Sequence, residues 1–305
     1  MQAGFSRRLG SLQSFQKTED GLVAKTGEGC IRIKTFSPSV VQVTLSPTAI
    51  VDEFSYAVTA KPLATPWSLE ELADRLVVKS ERFELTLLKK NTILIFKNAH
   101  GVVLNEDDPG LGTSWIGEQV TTYKRLKPDE RFVGLGEKTG PLDRKGTGYQ
   151  NWNSDAYAYH SGSDPLYCSM PFYIGLHTNV QYGIFLDNSH KTFFNFGASN
   201  NRFSSFSADA GEMNYFLIQG ESVAEIVKHY TWLTGRIQLP PKWSIGYQQC
   251  RYSYYPDKEV LSVANTFREK EIPADAIVLD IHYMDKYKIF SWDAKNFSNP
   301  KSLID

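Results

Sequence analysis

The stretch Ala276 to Asp293, AIVLDIHYMDKYKIFSWD, carries the residues best suited to chemistry. Ile277, Val278 and Leu279 form a short apolar run led by β-branched residues, the pattern of a strand buried on both faces. It stops at Asp280. A carboxylate closing a buried parallel strand does no packing, and in barrels of alternating strands and helices the C-terminal strand ends carry the functional groups. A second carboxylate, Asp155, stands among Trp152, Tyr157 and Tyr159, a polar group in an aromatic wall. Each aspartate also has a plainer reading. Asp280 could cap the next turn, and Asp155 could hydrogen-bond its own backbone, as Asp often does.

The elements that must position these groups fall into two halves. Up to about residue 220 the chain reads as many short strands. Val41, Val43 and Leu45 alternate with Gln42 and Thr44; Phe83, Leu85 and Leu87 alternate with Glu84 and Thr86. Thr92 to Phe96 turns through Asn98-Ala99-His100-Gly101 into Val102 to Leu104, a hairpin pattern. Further strands are expected at Arg131–Gly134, Phe172–Leu176, Tyr182–Leu186, Thr192–Phe196 and Asn214–Ile218. Regular spacing with Gly, Asn and Pro between them predicts an antiparallel sandwich. Gly134 to Pro171 resists strand assignment and is long for a loop; its tyrosines and Trp152 argue for order.

Ser222 with Glu225 three residues on is a capping box. It opens a helix whose Val223, Ile226, Val227, Tyr230 and Leu233 share a face and which Gly235 ends. Pro240-Pro241 reads as the connector, with domains at 1–235 and 236–305. Beyond it, Trp243 to Tyr247 is a strand candidate continuing towards Tyr252. A helix from Pro256-Asp257 to about Lys270 turns Val260, Leu261, Val263, Ala264 and Phe267 inward. The strand Ala276–Leu279 follows. Strand, helix, strand predicts a parallel pair with a right-handed crossover. Tyr252 and Asp280 then meet at one end of neighbouring strands.

Composition narrows the partners. A formal net charge of −1 in 305 residues, with no basic block, argues against nucleic acid or an anionic membrane surface. No apolar run reaches membrane-spanning length. The start, MQAGFSRRLGSLQSF, lacks the apolar core of a secretory signal, so a cytoplasmic or periplasmic location is expected. Cys30, Cys168 and Cys250 are too scattered for a disulfide framework or a metal site and are expected as buried free thiols. No metal and no cofactor is expected. Flat aromatic faces suit sugar rings, although a β-rich core uses aromatics too.

The segments LTGRIQLPPKWSIGYQQCRYSYY (Leu233 to Tyr255) and LDIHYMDKYKIFSWD closely resemble glycoside hydrolase family 31, the α-glucosidase family. Upstream, GLGEKTGPLDRKG and NWNSDAYAYHSGSDPLYCSMPFYIG resemble that family's N-terminal sandwich. Residues 1 to about 120 match only in general pattern. The resemblance implies a mainly β, then α/β fold: a galactose-mutarotase-like β-sandwich followed by the first strands of a (β/α)8 TIM barrel. It implies a retaining hydrolase acting on an oligosaccharide or α-glycoside. By the same resemblance Asp280 binds a hydroxyl of the sugar in the −1 subsite, Ile281 walls it, Tyr252 packs on it, Asp155 reaches it from a sandwich loop, and Tyr157 lies near the entrance. His282 departs from the Asp often found there in eukaryotic α-glucosidases. The family's nucleophile and acid/base lie in later motifs. A complete barrel needs about 250 residues, so this chain is read as the N-terminal part of an enzyme, inactive alone, with the catalytic pair beyond Asp305. Homo-oligomerisation of the full-length enzyme stays open. A non-catalytic sugar-binding sandwich, an aldose epimerase, a transglucosylase and an α-glucan lyase are the other readings. An epimerase would need a His and a carboxylate inside the sandwich, for which His160, His177, His190 and His229 offer no clear motif.

Overall fold

In a computed structural model, residues 6–51, 54–177 and 180–305 are described. The chain start, read above as no secretory signal, lies partly outside them. The chain divides into two compact units, Met1–Arg236 and Ile237–Asp305. No helix among the described residues is long and apolar enough to cross a membrane.

The first unit is built from three antiparallel sheets. An eight-stranded sheet runs in the order Arg131–Gly136, Ser169–His177, Val180–Leu186, Met213–Gly220, Val40–Ser46, Gly29–Ser37, Gly21–Thr26, Leu12–Lys17. A six-stranded sheet, centred on Gln119–Arg125 and Phe203–Ala208, and a five-stranded meander from Ser68–Glu71 to Val103–Glu106 complete it. Alternation decides which side chains go inside. Val41, Val43 and Leu45 join Leu85, Leu87, Phe96, Phe194 and Phe206 in one large core between the sheets. The expected hairpin forms, with Val103 paired to Lys97. The segment Gly134–Pro171 does contain a strand, Gly148–Asn151, paired with Thr192–Asn195. Its polar sequence GYQN carries no apolar alternation, so only the pairing reveals it.

The other face of the eight-stranded sheet packs Phe185, Phe216 and Ile218 against helix Val223–Thr234. Gly183 lets the helix lie close: a Cβ there would fall 2.9 Å from Ile226 Cγ2. Ser222 Oγ accepts from the Glu225 amide (3.2 Å), and the Glu225 carboxylate accepts from the Glu221 amide (2.8 Å) rather than from Ser222. Of the expected inward face, Ile226 and Leu233 are buried. Val223 and Val227 remain 42% and 41% exposed, since the helix sits on one sheet and nothing described covers its flank.

One polar knot joins all three sheets. Lys124 of the six-stranded sheet is wholly buried and donates to Asp107, 2.7 Å away at the end of the five-stranded one. It also donates to the Tyr215 hydroxyl of the eight-stranded sheet at 3.2 Å. Asp107 accepts in addition from the Leu94 amide (2.9 Å). Burial pushes the Lys124 pKa down, and Asp107 opposes that shift.

The three cysteines are free, as expected. Cys168 and Cys250 are exposed, however, not buried, because both lie in short or irregular segments with no covering layer.

Breaking the knot gives the first test. Lys124→Ala would leave Asp107 buried without its cation and is expected to cost about 3–5 kcal/mol in urea unfolding. Lys79→Ala, at an exposed pair with Glu70, should cost less than about 1 kcal/mol.

Candidate functional site

In the unit Ile237–Asp305 a parallel pair forms between Gln248–Cys250 and Ala276–Val278, with Gln248 opposite Ala276 and Cys250 opposite Val278. Helix Asp257–Glu269 connects them, with Asp257 and Glu259 in its first turn where the helix dipole favours anions. The parallel register has a direct consequence for the site. Tyr252 and Asp280 each stand two residues beyond the ends of paired strands, on the same side of the pair.

Three local readings need correction. Trp243–Tyr247 is not a strand: Lys242–Ile245 forms a 3-10 turn, closed by the Ser244 amide on the Pro241 carbonyl at 3.0 Å, and the strand begins at Gln248. Pro241 starts the chain in a tight turn, which defeats the apolar alternation of Trp243 and Ile245. The strand Ala276–Leu279 ends at Val278 and is not buried on both faces. Ile277 and Leu279 pack against Tyr254, Val260 and Phe297; Val278, on the opposite face, is 43% exposed because this sheet has only two strands among the described residues. In the helix, Val260 is buried, Val263 joins the same cluster, and Leu261 is 47% exposed, lying on the flank away from it.

Asp280 is half-buried with φ 64°, a left-handed conformation that Asp tolerates better than most residues. Among the described residues no group donates a hydrogen bond to its carboxylate. Two other aspartates of this stretch differ. Asp293 is committed to its own turn, accepting from Asn296 Nδ2 (2.6 Å) and the Lys295 amide (2.9 Å); these bonds, Asn296 first, hold its pKa below the ordinary carboxylate value. Asp285 begins a short 3-10 turn. Ile281 lies beside Asp280, 36% exposed, and Tyr252 is 77% exposed.

His282 organises the surroundings. Its ring stacks on Tyr255 (centroids 5.1 Å apart) and meets the edges of Tyr252 (5.2 Å) and Tyr287 (5.9 Å). Ser253 Oγ and His282 Nδ1 share a hydrogen bond that ties the two strand ends together. Sequence reading noted His282 only as a departure from a pattern and missed Ser253, Tyr255 and Tyr287. Ser253 and Tyr255 meet His282 only once the parallel register is set, which no local sequence pattern reveals.

Asp155 and Tyr157 stand in the first unit. Both are exposed, Tyr157 to 84%, on a loop whose flanking rings Trp152 and Tyr159 are about half exposed. The aromatic wall expected around Asp155 is therefore open. The carboxylate faces Tyr167, whose pKa is raised by desolvation and then by that charge. The loop is held from below. The Lys138 side chain is fully buried and donates to the Gln150 carbonyl (2.6 Å) and to Asp164 (2.7 Å), whose other oxygen accepts from the Gln150 amide (2.6 Å). The Ser154 amide donates to the Leu166 carbonyl (2.9 Å). Buried His177 donates to the Leu104 carbonyl (2.8 Å) and buried Glu130 accepts from the Tyr182 hydroxyl (2.6 Å), so both are engaged within the sandwich interior. Among the described residues no group of three or more His, Cys, Asp or Glu could hold a metal ion.

Comparison with known proteins agrees with this architecture. The profile of the glycosyl hydrolase 31 N-terminal galactose mutarotase-like domain matches residues 30–195, and that of the family 31 TIM-barrel domain matches 237–305. The chain belongs to glycosyl hydrolase family 31. It is 35% identical to alpha-glucosidase 2 of Bacillus thermoamyloliquefaciens over 97% of its own length and 38% of that protein's. It is 37% identical to an alpha-glucosidase of Saccharolobus solfataricus over 64% of its length and 28% of that protein's. A family 31 dextranase of Flavobacterium johnsoniae, solved as a mutant with isomaltotriose, superposes with TM-score 0.93 at 32% identity, covering 98% of this chain and 37% of that one. The chain thus spans less than two fifths of the length of these relatives.

The loop supports supply a second test. Asp164→Ala removes the bonds to Lys138 and Gln150, and amide exchange between residues 150 and 168 should rise at least tenfold, about 1.4 kcal/mol of local opening. Amides of Met213–Gly220 should not change.

Proposed function

We propose that this chain is the substrate-holding N-terminal part of a retaining α-glycosidase, α-glucosidase-like, that hydrolyses terminal α-linked glycosyl residues of oligosaccharides. The observation that carries this reading is that Tyr252 and Asp280 each follow a strand of one parallel pair by two residues on the same side, with Asp280 unpartnered among the described residues. A carboxylate with free acceptor sites beside an exposed ring suits a pyranose: the oxygens accept from hydroxyls and the ring faces the sugar's C–H groups. Asp280 serves as acceptor to a −1 sugar hydroxyl, Ile281 and Tyr252 as its walls. The His282–Ser253 bond and the tyrosines around it favour a fixed platform. On the sandwich loop, Asp155 and Tyr157 are proposed as further substrate contacts.

Retaining hydrolysis requires two carboxyls about 5–5.5 Å apart across the scissile bond. In this reading neither the nucleophile nor the acid/base belongs to these 305 residues. Relatives named as alpha-glucosidases, alpha-xylosidases and a dextranase favour α-glycoside substrates while leaving the glycone unassigned. A transglucosylase or α-glucan lyase would use the same residues, and product analysis of the full-length enzyme separates them. A purely sugar-binding sandwich is disfavoured by the strand–helix–strand unit, which such a module does not need. An aldose epimerase is disfavoured by the engagement of His177 and Glu130 in internal hydrogen bonds.

The test is kinetic. In the full-length protein, Asp280→Asn should keep the fold and lower kcat/KM on an α-glucoside roughly 10- to 1,000-fold, because a charged acceptor contributes roughly 1.5–3 kcal/mol and tightens as the ring flattens. No covalent intermediate should accumulate. Unchanged kinetics would make Asp280 a turn residue. The 305-residue chain alone should show no hydrolysis; genuine turnover by it would place a catalytic pair within these residues.

A further inference from the structure

Tyr252, on the segment that leaves strand Gln248–Cys250, is largely exposed. Among the described residues its one ring contact is His282, whose imidazole meets it edge to face with the planes at 71°. An exposed ring with a single such neighbour takes its orientation from that neighbour. His282 itself is held by more. Its ring lies on Tyr255, 14° from parallel, and meets the edge of Tyr287. Stacking fixes the plane of an imidazole but not which way its nitrogens face, because the torsion about Cβ–Cγ is broad and roughly two-fold. The hydrogen bond between Nδ1 and Ser253 Oγ selects one orientation.

The frame behind these contacts is anchored. Between Ser253 and Tyr255, Tyr254 is buried against Val260 and Phe297, and its hydroxyl accepts from Gln249 Nε2 at 2.7 Å. The turn carrying Tyr287 is closed by the Lys288 amide on the Asp285 carbonyl (3.0 Å) and by the Asp285 amide on Ser291 Oγ (3.1 Å). Order therefore passes from the small core of this unit through Ser253 and His282 to Tyr252.

We infer, resting on the reading of Tyr252 as a sugar contact, that Ser253 and His282 are positioning residues that fix the Tyr252 ring as a wall for the terminal sugar and so set affinity. An aromatic wall serves only in the orientation that turns its face to the sugar's C–H groups. A ring already held there loses less rotamer freedom on binding than a free one. Wall contacts are made in the ground state and the transition state alike, so loosening the wall raises KM and spares kcat. Neither residue needs to touch substrate. The Ser253 hydroxyl is spent on His282, and three tyrosine rings surround the imidazole.

The test is a double-mutant cycle in the full-length enzyme, with initial rates on maltotriose and the Tm of each variant. Tyr252→Ala should raise KM at least tenfold. Ser253→Ala and His282→Leu should each raise KM at least fivefold and change kcat less than threefold. In the Tyr252→Ala background the same two substitutions should change KM less than twofold, because the ring through which they act is gone. Ser253→Ala removes one hydroxyl from a half-buried position and should keep its Tm, so it decides the matter if His282→Leu does not fold. An unchanged KM in Ser253→Ala, with KM raised in Tyr252→Ala, overturns the inference and leaves the strand-end sugar site standing. Equal KM increases from Ser253→Ala in both backgrounds also overturn it, since the pair would then act on the fold and not through Tyr252. An unchanged KM in Tyr252→Ala overturns the role of Tyr252 at the sugar site, and the inference with it.

Discussion

The first unit depends on a buried charge. Three sheets converge on Lys124, and an ammonium removed from water is tolerable only because Asp107 and the Tyr215 hydroxyl surround it. Desolvation pushes its pKa down and the Asp107 charge opposes that. Such a pair contributes little net stability against an apolar replacement, but breaking it is costly. It therefore acts as a positional constraint, holding the five-, six- and eight-stranded sheets in one arrangement. The six-stranded sheet then carries Gly148–Asn151, and the chain leaves that strand directly into the loop bearing Asp155. A core interaction and an exposed candidate residue are thus linked by one short strand.

The second unit depends on a register. Parallel strands cannot be joined by a tight turn, so helix Asp257–Glu269 must carry the chain back. Both strands then end on the same side. Pairing of Cys250 with Val278 leaves Tyr252 and Asp280 each two residues past the pair on the same side, and the Ser253–His282 bond clasps the segments beyond them. The cluster of Tyr254, Val260 and Phe297 with Ile277 and Leu279 braces one face only.

Where period-2 alternation was strong, the strands were legible in the sequence: Val41, Val43 and Leu45, or Phe83, Leu85 and Leu87, point inward as the pattern requires. The capping box at Ser222 announced its helix. Gly148–Asn151 was invisible because its side chains carry no apolar period and its position comes from pairing alone. Trp243–Tyr247 misled because apolar residues after a Pro-Pro pair satisfied a strand pattern while Pro241 favoured a turn. At the site, Asp280 and Tyr252 could be read from strand endings and from family resemblance. Ser253 and Tyr255 could not, because their role is to contact His282 across a gap of about thirty positions, and that proximity exists only once the parallel register is set.

The central claim is that Asp280 holds substrate and does not perform the bond cleavage. A crystal structure of the full-length enzyme with an unhydrolysed α-glucoside tests it most directly. The account predicts the Asp280 carboxylate within about 2.5–3.0 Å of a hydroxyl of the terminal sugar, that sugar against Tyr252, and the scissile bond flanked by two other carboxyls. A structure with Asp280 in line with the anomeric carbon, or with the sugar bound away from Tyr252 and Asp280, would contradict it.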